Sequence, residues 1–330
     1  MKILITGGSG YVGSVLINKL IKKKHEVYNV DLDLFGNTHL PFKNKLYHHI
    51  NQDIRKVPSL DKYMKNVDIV FHLACISNDP TFELNKKLSK EINYDCFENI
   101  VLSAKKNKVK KFIYISTCSV YGISKKPKIT EIHPLKPITE YNKFKGMCEP
   151  ILLKHLDDKF KGCIIRPATV CGYSTKMRFD LTVNILTNFA YNKNYIKVFG
   201  GKQLRPNIHI DDLTNLYVKL VNLNFSKINK QIFNVGYENL SIENIAKKVK
   251  RIVSKYKREK ILIKFEKSND KRSYHIDSSK IKKYLNFKPK YTVEKAIHDL
   301  CIKFKKGFLN DSFENENYFN VKKLKKIKFK

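Results

Sequence analysis

The chain has 330 residues, enough at about 150 residues per domain for one large or two ordinary domains whose cores need no staples. With 42% hydrophobic and 29% charged residues it has globular composition; this excludes a chain disordered throughout, and no apolar run approaches the roughly 20 residues of a spanning helix. The net charge of +35 taken alone points to a polyanion partner, but only seven of the 65 basic residues are arginine and the 58 lysines run along the whole chain, the pattern of a solvated lysine surface.

In chain order, Met1-Lys2 leads straight into a short apolar run that Thr6-Gly7 ends, which argues against a secretory leader. Short apolar runs then alternate with segments of helical period. The strands are expected at Lys2 to Thr6, Glu26 to Val30, Tyr47 to Asn51, Ile69 to Leu73, Lys111 to Ser116 and Gly162 to Arg166. Helices are expected between them at Tyr11 to Lys23, Val57 to Lys65, Leu88 to Lys106 and Asn142 to Leu156. Such βαβ repetition predicts an α/β fold with a doubly wound, parallel Rossmann sheet over residues 1–166. From Pro167 the pattern is mixed, with helices at Asp180 to Tyr191, Ile242 to Tyr256 and Val293 to Lys305. Residues 167–320 therefore read as a smaller mixed α/β substrate-binding lobe, some segments of which return to the first domain. Residues 321–330, with six lysines between single apolar residues, read as a frayed basic tail. Seven scattered cysteines without a CxxC pair indicate neither a disulfide framework nor a metal knuckle, and fit a reducing cytoplasm.

The first motif, Thr6-Gly7-Gly8-Ser9-Gly10-Tyr11-Val12-Gly13, lies between the first strand and the first helix. Gly7 permits the tight turn, Gly10 lets the backbone approach a pyrophosphate, Gly13 allows close helix packing, and the helix start offers free N–H groups to an anion. About 20 residues on, the second strand ends at Asp31, whose carboxylate would accept from an adenosine ribose and repel a 2′-phosphate, favouring NAD over NADP. Asp53-Ile54, after the third strand, is placed to touch the adenine.

The second motif is Tyr141-Asn142-Lys143-Phe144-Lys145 at a helix start, preceded by Ser116-Thr117-Cys118-Ser119 at a strand end. The i,i+4 spacing puts Tyr141 and Lys145 on one helical face. A nearby ammonium and an oxidised nicotinamide both favour the phenolate, so Tyr141 is expected to fall from about 10 toward neutrality and serve as a general base.

Together these residues resemble the extended short-chain dehydrogenase/reductases of the NAD-dependent epimerase/dehydratase family, which act on nucleotide sugars, over roughly residues 2 to 303. The family's glycine motif is matched by Gly7 to Gly13, its Asp-Ile pair by Asp53-Ile54, its HLAA segment by His72-Leu73-Ala74-Cys75, and its strand-end motif by Ser116-Thr117-Cys118-Ser119-Val120-Tyr121-Gly122. Downstream, Arg205 to Asp212, containing His209, matches its RxxxHxxD, Asn234-Val235-Gly236 its NVG, and Asp270 to Tyr274 a late arginine segment. The resemblance implies cofactor contacts from Gly7, Gly10, Tyr11, Val12, Gly13, Asp31, Asp53, Ile54, Leu73, Ala74, Asn93, Ser116, Tyr141, Lys145 and Pro167. It implies catalysis by Thr117, Tyr141 and Lys145, and substrate contacts from Ser119 and Thr169. Arg205 and Arg272 would grip a nucleotide diphosphate, which suits scarce arginines in a lysine-rich chain.

Departures from the pattern narrow the chemistry. Family members that dehydrate the sugar carry Asp-Glu or a Glu after the catalytic Thr, and here Cys118 and Ser119 stand instead, which argues against 4,6-dehydration. Thr169 replaces the family's phosphate-contacting Asn. The segment Met177 to Asn184 resembles a subgroup acting on surface-polysaccharide sugars, hexoses or heptoses, in which Arg178 and Asn184 would touch substrate; they can equally be helix-capping or surface residues. The resemblance implies reversible oxidation at a sugar carbon, C4 foremost, by NAD held between turnovers, and a homodimer through the helices Leu88 to Lys106 and Asn142 to Leu156. A dehydrogenase or ketosugar reductase is the alternative. A scaffold that binds RNA or another polyanion is the other class, against which no specific nucleic-acid recognition motif appears.

Overall fold

A computed structural model describes residues 1–124, 126, 128–267 and 273–327. The first half runs β1 (Lys2–Thr6), α1 (Tyr11–Lys22), β2 (Glu26–Asp31), β3 (Tyr47–Asn51), α2 (Val57–Met64), β4 (Ile69–His72), α3 (Asp79–Phe82), α4 (Lys86–Lys90), α5 (Phe97–Lys106), β5 (Lys111–Ile115), α6 (Glu140–His155) and β6 (Lys161–Pro167). These strands, with a seventh from far downstream, form one parallel sheet in the order β10-β6-β5-β4-β1-β2-β3, where β10 is Gln231–Val235.

The period of two along each strand divides the core. Ile3, Ile5, Phe71 and Ile113 face one side and pack with Leu16, Ile17 and Leu20 of α1 and Leu213, Leu216 and Leu220 of a downstream helix, α8 (Ile210–Asn222). Leu4, Val70, Phe112 and Tyr114 face the other, against Leu60 and Met64 of α2, Phe97, Ile100 and Val101 of α5, and Cys148 and Leu152 of α6. Strands buried on both faces read as unbroken apolar runs, which is why β1 and β4 are plain in the sequence. Neither β10 nor α8 is anticipated by periodicity; both return from the second lobe to complete the sheet and its helix layer.

The remaining elements in chain order are β7 (Thr169–Cys171), α7 (Thr182–Lys193), β8 (Tyr195–Phe199), β9 (Leu204–His209), β11 (Glu238–Ser241), α9 (Ile242–Lys257), β12 (Leu262–Glu266), α10 (Ser279–Leu285), α11 (Val293–Lys305) and α12 (Asn320–Lys326). Sheets β11-β9-β7 and β12-β8 lie here, with α7, α9 and α11 around a separate core built on Val183, Leu186, Val249 and Ile297.

Two expectations are corrected. The single helix from Leu88 to Lys106 is α4, a π-helical turn at Glu91–Asp95, and α5. That wide turn brings Asn93 to the backbone of Ile76, which it clamps through both amide atoms at 2.7 and 3.0 Å. The frayed tail is also overturned over its described part: α12 packs Leu324 at 3% exposure into the α2/α5/α6 side of the core, and Lys323 and Lys326 pair with Glu316. Residues 328–330 lie outside the described residues.

One buried ion pair ties the sheet to α6. Arg166 on β6 donates Nε and Nη2 to the carboxylate of Glu149, whose Oε1 also accepts from Ser116 at 2.6 Å, and Arg166 Nη1 donates to Tyr121. Both charged side chains are 3% exposed. Removing one partner strands a charge in a dry interior, so Glu149→Ala is expected to cost about 3–5 kcal/mol in urea unfolding; a loss under about 1 kcal/mol would show the pair is not holding α6 to the sheet.

Candidate active site

Strand order reverses between β1 and β4, so their carboxyl ends part and leave a crevice, the usual ligand position in an open α/β sheet. A cavity of about 530 Å³ occupies it, running from the glycine turn between β1 and α1 into the second lobe. The turn is built for close approach. Gly7 has φ +76°, and a Cβ there would sit 2.6 Å from the Cα and N of Ala74; a Cβ on Gly13 would sit 2.5 Å from the Cα of Gly8. Gly10 then caps α1 without a side chain, and the first N–H groups of α1, which have no partner within the helix, begin at the cavity wall.

At the end of β2, the Asp31 carboxylate accepts from the Ser9 and Asp33 N–H groups, each at 2.9 Å. Burial raises its pKa while those two N–H groups oppose the rise. Asp53 is held bidentate by Arg55, which also reaches Glu91 at 2.7 Å, and Ile54 beside it is buried on the wall. Leu73, Ala74, Ser116 and Pro167 complete this part of the lining with Val12.

Beyond them Thr117, Ser119, Tyr141 and Lys145 face the same space. Thr139 caps α6, accepting from the Asn142 N–H and donating its hydroxyl to Asp79 at 2.6 Å, which places Tyr141 in the first turn. Lys145 donates to the Ile115 carbonyl at 2.5 Å, above the Tyr114 ring. The expected fall in the Tyr141 pKa does not come from the protein. Burial pushes it well above its ordinary value, Cys75, Asp79 and Tyr274 push the same way, and Arg178 opposes them. A positively charged cofactor bound here would add to the lowering by Arg178.

The substrate lobe contributes Thr169, Arg178 and Arg205 to the lining. Arg178 grips Asp180 with Nε and Nη2 and donates Nη1 to Ser77, while Asn78 donates to Asp180 at 2.9 Å. Arg205 donates Nη1 to the Leu204 carbonyl. Arg272 lies outside the described residues.

Three expected contacts take other roles. Asn184 is wholly buried off the cavity, donating to Tyr11 Oη and the Arg178 carbonyl and accepting from the Gly172 N–H. Tyr11 is on the wall, but its hydroxyl is spent on the Gly172 carbonyl at 2.7 Å, so only its backbone is left for an anion. Asn93 shapes the wall indirectly through Ile76. Within the Arg205–Asp212 motif only Arg205 reaches the cavity. His209 accepts from the Asp211 N–H at the start of α8, and Asp212 accepts the Lys290 and Tyr291 N–H groups.

Sequence reasoning missed other lining residues. Asp33, Ser77, Asn78, Lys176, Asp180, Tyr274 and Asn320 belong to it as well. Asn78-Asp79-Pro80 carried a usable signal, an N-cap followed by Pro in the first turn, whereas nothing local marks Lys176, which burial lowers to about 7.

Comparison with known proteins places the chain in a family. The sequence profile described as the NAD dependent epimerase/dehydratase family matches residues 3–236. The chain is similar to a UDP-glucose 4-epimerase of Lactobacillus helveticus, 30% identical over 88% of this chain and 93% of that one. It is also similar to a UDP-N-acetyl-alpha-D-glucosaminuronate decarboxylase of Bacillus cytotoxicus, 27% identical over 90% and 96%. In structure it resembles a UDP-glucuronic acid 4-epimerase of Bacillus cereus in complex with UDP-glucuronic acid and NAD, with a TM-score of 0.81 and 25% identity over 93% and 99% of the two chains.

The residues present fit NAD. A glycine cradle that Cβ atoms would fill, helix N–H groups and a buried carboxylate at the end of β2 are the donor and acceptor set of a dinucleotide. Gly7→Ala is therefore expected to purify without dinucleotide. Gly36→Ala serves as control, since Gly36 also has positive φ but no atom within 4 Å of its Cβ position. If Gly7→Ala retains as much NAD as the parent, the turn is not the cradle. The chain belongs to the NAD-dependent epimerase/dehydratase family of extended short-chain dehydrogenase/reductases, and NAD is its cofactor.

Proposed function

We propose that the protein is a nucleotide-sugar epimerase acting at C4. The observation that carries this reading is the convergence of Thr117, Tyr141 and Lys145 on the cavity that begins at the glycine turn, with no carboxylate after the threonine. Cys118 stands first in that place, wholly buried, its thiol donated to the Arg166 carbonyl at 2.9 Å and its pKa pushed far up by burial. Ser119 next to it shares a hydrogen bond with Tyr274 at 3.0 Å. Neither supplies the second acid that elimination of water requires, which supports epimerisation over dehydration.

In the forward half, Tyr141 takes the proton of the sugar C4 hydroxyl while Thr117 hydrogen-bonds the same oxygen. When bound, NAD supplies the acceptor for the C4 hydride and later its donor. Lys145 would hold the nicotinamide ribose. The 4-keto sugar turns about a diphosphate anchored by Arg205, with Arg272 as second anchor. In the return half Tyr141 gives its proton back to the oxygen, now on the opposite configuration, so atoms and electrons balance without a net redox change. The relatives' names support UDP-sugars as the substrate class. A homodimer through α5 and α6 belongs to the same reading; Leu102 on α5 is 43% exposed.

Tyr141→Phe is expected to lower kcat for interconversion of UDP-glucose and UDP-galactose by about 10²–10⁴-fold, the usual contribution of a positioned acid/base, without loss of bound NAD. Unchanged turnover in that variant would overturn the mechanism. Mass spectrometry of the denatured protein tests how the cofactor is used. Stoichiometric NAD supports in-place recycling, and an empty protein that exchanges NAD each turnover supports a dehydrogenase or ketosugar reductase instead.

A further inference from the structure

Asn320 and Val321, from the C-terminal segment Asn315 to Lys326, line the cavity, although they are remote in sequence from every motif above. We infer that this C-terminal segment is a working part of the catalytic pocket, in which Asn320 acts through Ser77 to position Arg178 beside the Tyr141 phenol. The inference rests on the proposed epimerase reading only for what the pocket does, not for how it is assembled.

The geometry is a relay with named ends. Asn320 is 4% exposed, lines the cavity, and donates its side-chain amide to Ser77 Oγ at 3.0 Å. The same oxygen accepts Arg178 Nη1 at 2.9 Å. Arg178 is thereby fixed on three nitrogens, the other two being held by Asp180 at 2.9 and 3.0 Å. A planar guanidinium held at that many points has one orientation, so a change at Ser77 shifts the charge it presents to the cavity. Arg178 and Tyr141 line the same cavity, and each carries the electrostatic influence of the other.

The relay is needed because Arg178 sits in a stretch, Tyr173 to Leu181, that forms neither helix nor strand. Such a stretch takes its shape from what it touches, and the C-terminal segment supplies much of that contact. Phe179 N–H donates to the Tyr318 carbonyl at 2.9 Å, the Phe179 ring meets Tyr318 edge-on at 5.3 Å, and Lys176 donates to the Asn317 carbonyl. Asn184 holds the Arg178 carbonyl from the opposite flank. Leu324, buried in the first domain's core, anchors the segment's far end. The segment thus bridges the first domain and the substrate lobe across the cavity.

The test uses the full-length, NAD-loaded protein and two variants. Asn320→Leu keeps the branched shape with somewhat more bulk and cannot donate; Asn320→Gln keeps the amide. The groups whose charge acts on the Tyr141 phenol are Cys75, Asp79, Arg178 and Tyr274, Lys145 lines the same cavity from its own helix, and none is altered. Two readouts are taken: turnover of the nucleotide sugar, and the ultraviolet titration of Tyr141, obtained by subtracting the Tyr141→Phe protein in each background. Asn320→Leu is expected to lower kcat about tenfold with KM and NAD content near parental, and to move the Tyr141 titration and the acid limb of the rate profile upward. Asn320→Gln is expected to recover most of both. Parental kcat and titration in Asn320→Leu would overturn the inference, as would a loss that Gln does not rescue and that tracks a lowered melting temperature. If the parent turns over no nucleotide sugar, the functional reading fails, while the titration still decides the role of Asn320.

Discussion

The constraint on which the site depends is the contact between the turn after β1 and the strand end of β4, where Gly7 leaves no space for a Cβ beside the Ala74 backbone. That contact is possible only without a side chain, and it fixes where α1 begins, because Gly10 caps the helix three residues later. It also falls where strand order reverses, so the parted strand ends and the helix N-terminus open on the same crevice. Everything that follows is added to this wall: Asp31 from β2, Thr117 after β5, Tyr141 and Lys145 from α6, Arg205 from β9.

The second requirement is that α6 be held rigidly, since both Tyr141 and Lys145 ride on it. Three ties do so at different heights. Thr139 caps its start and reaches Asp79, Lys145 reaches the Ile115 carbonyl, and Glu149 takes the buried Arg166 and the Ser116 hydroxyl. Burial foremost, with Cys75, Asp79 and Tyr274 acting the same way, holds the phenol in its neutral form, and among the described residues Arg178 is a counterweight. On the proposed mechanism, a tyrosine held protonated in this way would act as a base only with a positively charged cofactor in place.

Much of the first domain was legible in the sequence because buried parallel strands are apolar on both faces and the glycine turn has a fixed spacing between strand and helix. The seventh strand was not, since Gln231–Val235 is short and acquires its role only by pairing with β6 far upstream. The break between α4 and α5 was hidden for a related reason: helical periodicity over Leu88 to Lys106 is good, and the π-turn answers a distant demand from the Ile76 backbone. Within the site, motif residues on the glycine turn, at Asp31 and on α6 line the cavity as spacing suggests, whereas Asn184 and the hydroxyl of Tyr11 are consumed in bonding the two lobes to each other. Asn320 and Leu324 were illegible because single residues among lysines carry no period; only the packing of α12 gives them meaning.

The central claim is that a hydride leaves C4 and returns to the same carbon inside a closed pocket. The most direct measurement is to follow UDP-glucose and UDP-galactose by proton NMR in deuterium oxide with the purified protein. Interconversion with the C4 hydrogen retained in both sugars is the result expected. Deuterium incorporated at C4 would mean proton abstraction and exchange with solvent, and would contradict the account.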